Sequence, residues 1–222
     1  MIDTQKIFDY DKQFLNEKVK YIAGIDEVGR GPLAGPVVTA CVIMPYDSML
    51  NGVFDSKRLC KKNREKLYDE IMNNAISVSI SMRDQDAIDE INIRNATLEC
   101  MKECFNNSKV KPDLLFVDAE KLNISKNEKS IIKGDATSYA IACASIIAKV
   151  YRDRMMEEYA KIYPEYDFDN NMGYGTKNHR EAIKKHGITP IHRVSFVKNF
   201  IGKEECERIY MERREKHSQQ VI

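Results

Sequence analysis

The sequence predicts an α/β fold: a mixed β-sheet flanked by helices. Three observations carry that expectation. Short β-branched apolar runs alternate with longer stretches of helical periodicity. The first two runs are joined by a turn and a later one only by a helical connection, so antiparallel and parallel pairings are both required. Acidic residues stand at or just beyond the ends of three runs, where an open sheet meets solvent.

Each element follows in order. Tyr21–Asp26 is short and apolar, and Pro36–Met44 is β-branched and bounded by prolines, so both read as strands. The turn Glu27–Gly35 suits an antiparallel hairpin between them. Asn63–Asn74 carries Leu67, Ile71 and Met72 at helical spacing. In Ala75–Met82 the residues Ile76, Val78, Ile80 and Met82 alternate with Ser77, Ser79 and Ser81, predicting an antiparallel strand whose serine face is the wetter one. Ala87–Phe105 reads as one helix through Ile91, Leu98, Met101 and Phe105. Leu114–Val117 is a continuous apolar run closed by Asp118, as in a strand buried on both faces, and Ser130–Lys133 is a shorter fifth strand. Ala136–Tyr163 is apolar nearly all round in its first half, predicting a central buried helix. Beyond Pro164 the chain turns charged, with helices expected near Asn178–His186 and Lys203–His217. An α/β core over 1–163 and a helical extension over 164–222 packed on it are therefore expected.

With 222 residues, 43% apolar and 31% charged, the chain is globular rather than disordered. Its net charge of +1 excludes a wholesale basic protein, so a polyanion must be met by local patches. No apolar run reaches the ~20 residues of a membrane span, and Met1–Lys20 lacks the apolar stretch of a secretory signal. A cytoplasmic monomer is expected. The six cysteines are scattered without a CxxC pair and read as reduced thiols, mostly in the core.

Asp26 and Glu27 close the first strand, Asp118 the fourth, and Asp135 follows the fifth. If these strands run parallel as neighbours, four carboxylates converge in the crevice where open α/β sheets bind ligands. Like charges that close need a cation, and hard oxygen donors select Mg²⁺ or Mn²⁺. Because Asp26 and Glu27 are consecutive, they face opposite sides of a regular strand. A bulge, or ligation through a backbone carbonyl, is expected to bring both to the ion. Three of the four acids also have a plainer role open to them: Asp135 as a helix N-cap, Asp26 and Glu27 as loop residues.

Gly29–Pro36 follows directly. It has neither Walker A nor Rossmann spacing. Glycines flanking Arg30 remove Cβ atoms where another group can approach the backbone, and an arginine beside acids suggests a loop that meets a sugar-phosphate chain. An ordinary hairpin turn is the alternative.

The segments YIAGIDEVGRGPLAGPVVTACVIMP (Tyr21–Pro45), DSKRL (Asp55–Leu59), FVDA (Phe116–Ala119), KGDATSYAIACASIIAKVYRDR (Lys133–Arg154), GYGTKNH (Gly173–His179) and HRVSF (His192–Phe196) resemble, in order, those of the type 2 ribonucleases H, the ribonuclease HII family. The resemblance spans about Tyr21 to Phe200. It implies a ribonuclease H-like five-stranded mixed sheet and a metal-dependent endonuclease. Such an enzyme cuts the RNA strand of RNA–DNA hybrids, including at single ribonucleotides in duplex DNA. It implies that Asp26, Glu27, Asp118 and Asp135 are the catalytic, metal-binding acids holding Mg²⁺ or Mn²⁺. The backbone of Gly29, Arg30 and Gly31 would read the 2′-hydroxyl, and Tyr174 would stack on the deoxyribose beyond the ribonucleotide. Two departures stand out: Ala119 where glycine is common, and Asn171–Met172 in place of the usual His–Lys.

Lys57 and Arg58, with Lys149, Arg152 and Lys177, are candidates for phosphate contacts, a solvated charged face being the alternative. Ser138 and Thr176 are candidates for orienting substrate. His179, His186 and His192 lack metal-site spacing and read as structural or surface residues. In the tail, Arg208, Arg213, Arg214 and Lys216 balance Glu204, Glu205, Glu207 and Glu212 as a salt-bridged helix face.

Overall fold

The structure is a computed structural model that describes residues 4–219, with the side chains of Lys203 and of 213–219 outside the description. Its chain order is α1 (Thr4–Lys12), β1 (Ile22–Val28), β2 (Val37–Ile43), α2 (Lys61–Asn74), β3 (Ser77–Arg83), α3 (Gln85–Ile91), α4 (Ile93–Asn106), β4 (Leu114–Asp118), β5 (Glu128–Ile131), α5 (Tyr139–Ile162), α6 (Phe168–Asn171), α7 (Lys177–His186), α8 (Val194–Ile201) and α9 (Lys203–Gln219). The strands form one five-stranded sheet in the order β3-β2-β1-β4-β5. Pairs β1–β2 and β2–β3 are antiparallel, whereas β1–β4 and β4–β5 are parallel. The mixed sheet expected from the sequence is present, and the three acid-ending strands are parallel neighbours.

The side-chain period of two sorts β2 between two helical layers. Val38, Ala40 and Val42 pack on Cys143, Ile146 and Ile147 of α5. Cys41 and Ile43 face Met101 and Cys104 of α4. Helix α5 can lie directly on β1 because Gly24 has no side chain: a Cβ there would overlap the backbone of Ala140 and Ile141. Ser138 caps α5, its Oγ accepting from the N–H of Ile141.

Several expectations are corrected. The serine face of β3 is the buried one: Ser77, Ser79 and Ser81 are at most 8% exposed, while Ile76 and Met82 are exposed. Small serines let the end of α4 come close, and Ser79 Oγ donates to the Cys104 carbonyl at 2.6 Å. Val78 and Ile80 still pack into the α5-side core. The single helix expected over Ala87–Phe105 is two, broken at Asn92, which has φ +66° and accepts from the N–H groups of Arg94 and Asn95. The fifth strand begins earlier than expected, at Glu128, and ends at Ile131. Helix α1 was not anticipated in so charged a segment. Ile7 and Phe8 bury its apolar side, and Asp11 accepts from Tyr46 Oη, Ser138 Oγ and the Ala140 N–H.

Beyond Pro164, Tyr166, Phe168, Ile183, Ile191 and Val197 pack around Ala34 and Met156, so this part of the chain closes against the loop after β1. Cys60 is exposed and the other five cysteines are buried, all as free thiols. In α9, Arg208 pairs with Glu205 and Glu212 as expected; Arg213, Arg214 and Lys216 lie outside the described side chains. Among the described residues no helix is long and apolar enough to cross a membrane.

Candidate active site

Pairing between β1 and β4 ends at Ile25 opposite Val117, while β1 runs on against β2 to Val28. Beyond that point Asp26 and Glu27 have no strand on the β4 side, and Asp118 closes β4 beside them. Asp26, Glu27 and Asp118 each bring a carboxylate oxygen within 4.8 Å of the others. The β1–β2 register runs unbroken through Asp26 opposite Ala40 and Glu27 opposite Thr39, so no bulge is needed. At the end of the β4 ladder the two neighbouring side chains reach one space from either side of the strand.

Electrostatics mark this space. Burial, then repulsion from Glu27 and Asp118, holds the Asp26 carboxyl well above the usual carboxylate range. Glu27 is raised by burial and by Asp118, against the pull of Arg30. Asp118 is raised by burial and by Asp135, opposed by the Gly134 N–H and Lys57. Glu27 Oε2 is buried with no hydrogen-bond partner. A bound divalent cation would relieve both the repulsion and that orphaned oxygen, and an all-oxygen donor set suits a hard ion. The residues present fit such an ion.

Asp135 lies outside the 4.8 Å group, in a single 3₁₀ turn, Gly134–Ala136, between β5 and α5. It does not cap α5, a place taken by Ser138. Its carboxylate meets Lys57 Nζ at 3.7 Å. Partial burial lowers the Lys57 ammonium, but Asp135, Asp26, Asp55 and Asp118 outweigh this and raise it. Lys57 therefore faces the acids.

Arg30 also turns inward. Its guanidinium is 3.5 Å from Glu27 Oε1 and donates to Glu120 Oε1 at 3.1 Å. Gly31 lies under Tyr174, where an added Cβ would sit 3.5 Å from the ring. Tyr174 is 44% exposed, and its loop is joined to the glycine loop by the Leu33 N–H donating to the Gly173 carbonyl at 2.8 Å.

The other candidates take their own places in the fold. Arg152 is fully buried and donates to the carbonyls of Pro36, Ala34 and Met172, so it braces the glycine loop from beneath. Lys149 is tied to Asp153, and Lys177 stands exposed 3.9 Å from Glu181. Ser138 binds Asp11 and caps α5, and Thr176 caps α7. His179 and His192 are fully buried. Two residues escaped the sequence reading. Glu120 draws in Arg30, but it follows Ala119, whose φ of +52° turns the chain in a way no local pattern announces. Ser145 faces Asp26 and bonds Ser56 at 2.8 Å; a serine inside so apolar a helix was the available signal.

Comparison with known proteins places the chain in a family. The family model described as ribonuclease HII matches residues 23–199. The ribonuclease HII of Acetivibrio thermocellus is 56% identical over 193 residues, covering 86% of this chain and 75% of that protein. That of Caldicellulosiruptor bescii is 48% identical over 201 residues, covering 90% and 98%. Among solved structures, the ribonuclease H2 of Pyrococcus horikoshii OT3 superposes with a TM-score of 0.70 at 26% identity, covering 84% of this chain and 99% of that one. With a family match across most of the chain and acids gathered at the ends of parallel strands, the protein belongs to the ribonuclease HII family of metal-dependent endoribonucleases.

Proposed function

We propose that this enzyme hydrolyses the RNA strand of RNA–DNA hybrids and also incises at single ribonucleotides embedded in duplex DNA. Asp26, Glu27, Asp118 and Asp135 would hold Mg²⁺ or Mn²⁺. The observation that carries the reading is the meeting of Asp26, Glu27 and Asp118 beside a glycine loop whose Gly31 lies under an exposed tyrosine.

Two divalent ions bound there would stabilise charge on the attacking and leaving oxygens and acidify a water. The chain's own residues do the rest. Lys57 holds the Asp135 carboxylate toward the other acids. Arg30 and Glu120 fix the Glu27 side chain. Telling RNA from DNA reduces to detecting one hydroxyl that both donates and accepts, a task for the closely approachable backbone of Gly29, Arg30 and Gly31. Tyr174 would stack on the deoxyribose that follows and so read the RNA-to-DNA junction. The same reading takes 1–163 as the catalytic core, 164–222 as an extension that carries Tyr174, and the enzyme as a cytoplasmic monomer.

Incubation with a duplex bearing one ribonucleotide, with a uniform hybrid and with all-DNA duplex tests it, each with and without chelator. Incision of the first two only, abolished by chelator, is the expected result. Cutting of all-DNA duplex at a similar rate would overturn it.

A further inference from the structure

Two fully buried histidines stand behind Tyr174, and their hydrogen bonds admit a single arrangement of protons. His179 Nδ1 lies 2.9 Å from the Tyr174 carbonyl oxygen, and its Nε2 lies 3.0 Å from Nε2 of His192. His192 Nδ1 in turn receives the backbone N–H of Thr189 at 2.9 Å and lies 2.8 Å from Thr189 Oγ1. Both ends of this chain are fixed by backbone chemistry. A carbonyl oxygen only accepts, so His179 carries its proton on Nδ1 and leaves Nε2 bare. A peptide N–H only donates, so His192 Nδ1 is bare and Nε2 carries the proton. The two requirements meet at the Nε2–Nε2 contact, which then holds one proton, as a hydrogen bond must. A second proton on either ring would set two N–H groups head to head.

Both rings lie among aromatic side chains. Tyr166 and Phe168 pack against both imidazoles, and burial lowers the His179 imidazole below its ordinary value in spite of the Tyr174 carbonyl. The relay spans two loops: Thr189 lies between α7 and α8, and Tyr174 lies between α6 and α7. On its far side the Tyr174 segment is held through Gly173, whose carbonyl takes the Leu33 N–H.

We infer that His179 and His192 are positioning residues: a pair of opposite tautomers that fixes the Tyr174 peptide and so aims its ring over Gly31 at the substrate. The functional half of this rests on the reading of Tyr174 given above. Neither histidine touches the reacting atoms; they act through the tyrosine's backbone.

Imidazole ¹⁵N NMR of the wild-type protein at neutral pH tests the relay without substrate. Nδ1–H on His179 and Nε2–H on His192 are expected, and an Nε2–H tautomer of His179 would overturn it. The functional test compares kcat/KM on a duplex with one ribonucleotide to that on a uniform hybrid. Tyr174→Ala lowers this ratio most. His179→Phe keeps the ring but lacks the donor, and lowers it by about fivefold, the order of one neutral hydrogen bond. His179→Asn, whose amide nitrogen reaches the place of Nδ1, restores most of it. If Tyr174→Ala leaves the ratio unchanged, the tyrosine reading fails and takes the functional role with it. If Tyr174→Ala lowers the ratio and a folded His179→Phe does not, the relay alone is overturned. Should His179→Phe fail to fold, His179→Asn and the wild-type tautomers decide.

Discussion

The backbone N–H of Gly134 donates to Oδ1 of Asp118 at 2.6 Å, tying the turn that carries Asp135 directly to the acid that ends β4. Two acids 17 positions apart in sequence thus share one rigid connection. Lys57 draws Asp135 from the other side. A Cβ on Gly134 would stand 2.6 Å from Ile141 Cδ1 and 3.0 Å from Asp118 Oδ1. Gly134→Ala is therefore expected to destabilise the fold by about 1–3 kcal/mol through overpacking. It should cost more than tenfold in kcat. Thermal melts and steady-state cleavage check both, and wild-type turnover in this variant would show that the turn's placement does not matter.

Asp118→Asn separates the chemistry from the fold. Its amide oxygen can still accept from Gly134, so folding persists, while cleavage falls to background. Without metal, removing one of three mutually repelling carboxylates stabilises the protein by on the order of 1 kcal/mol. That corresponds to a Tm rise of roughly 2–4 °C in chelator for a chain of this size. The wild-type Tm rises on adding Mn²⁺, and the variant's rise is smaller. A melt lower than wild type in chelator would contradict the repulsion argument.

Ala119 adopts φ +52°, in the left-handed region that costs a residue with a Cβ about 1 kcal/mol or more. Ala119→Gly should recover about 1 kcal/mol of this, less the entropy glycine gains on unfolding. Denaturant midpoints measured at fixed pH decide. A destabilised variant would mean that the Ala119 methyl packs usefully.

Asp11 of α1 is fully buried against the start of α5, and burial pushes its carboxyl up to about 6 despite its hydrogen bonds to Ala140, Tyr46 and Ser138. The folded state therefore holds a proton that the unfolded state has released. Stability from this residue is present at low pH and is lost as pH rises from about 4 to about 6, by roughly 3 kcal/mol in all. Subtracting the unfolding free energy of Asp11→Asn at each pH isolates the effect. A difference that grows with rising pH would reverse the sign and refute the assignment.

Much was legible in the sequence because short-range chemistry writes it there. The β-branched run PVVTACVIM between its prolines, the apolar run Leu114–Val117 closed by Asp118, and the nearly all-round apolar first half of α5 each record a local backbone preference. The acids at strand ends were visible for the same reason. Tertiary packing alone decided which faces are buried and which distant groups meet. The serines of β3 lie inside because α4 lands on them, and Asn92 breaks a helical run because α3 and α4 take separate paths. Arg152 looked like a surface cation until the glycine loop's carbonyls closed over it. Asp26 and Glu27 meet in one space from opposite sides of β1 only because its pairing with β4 stops at Ile25 and Val117, a matter of register between strands far apart in sequence. A chain's local pattern fixes its elements, whereas burial and charge proximity depend on which element arrives to cover them.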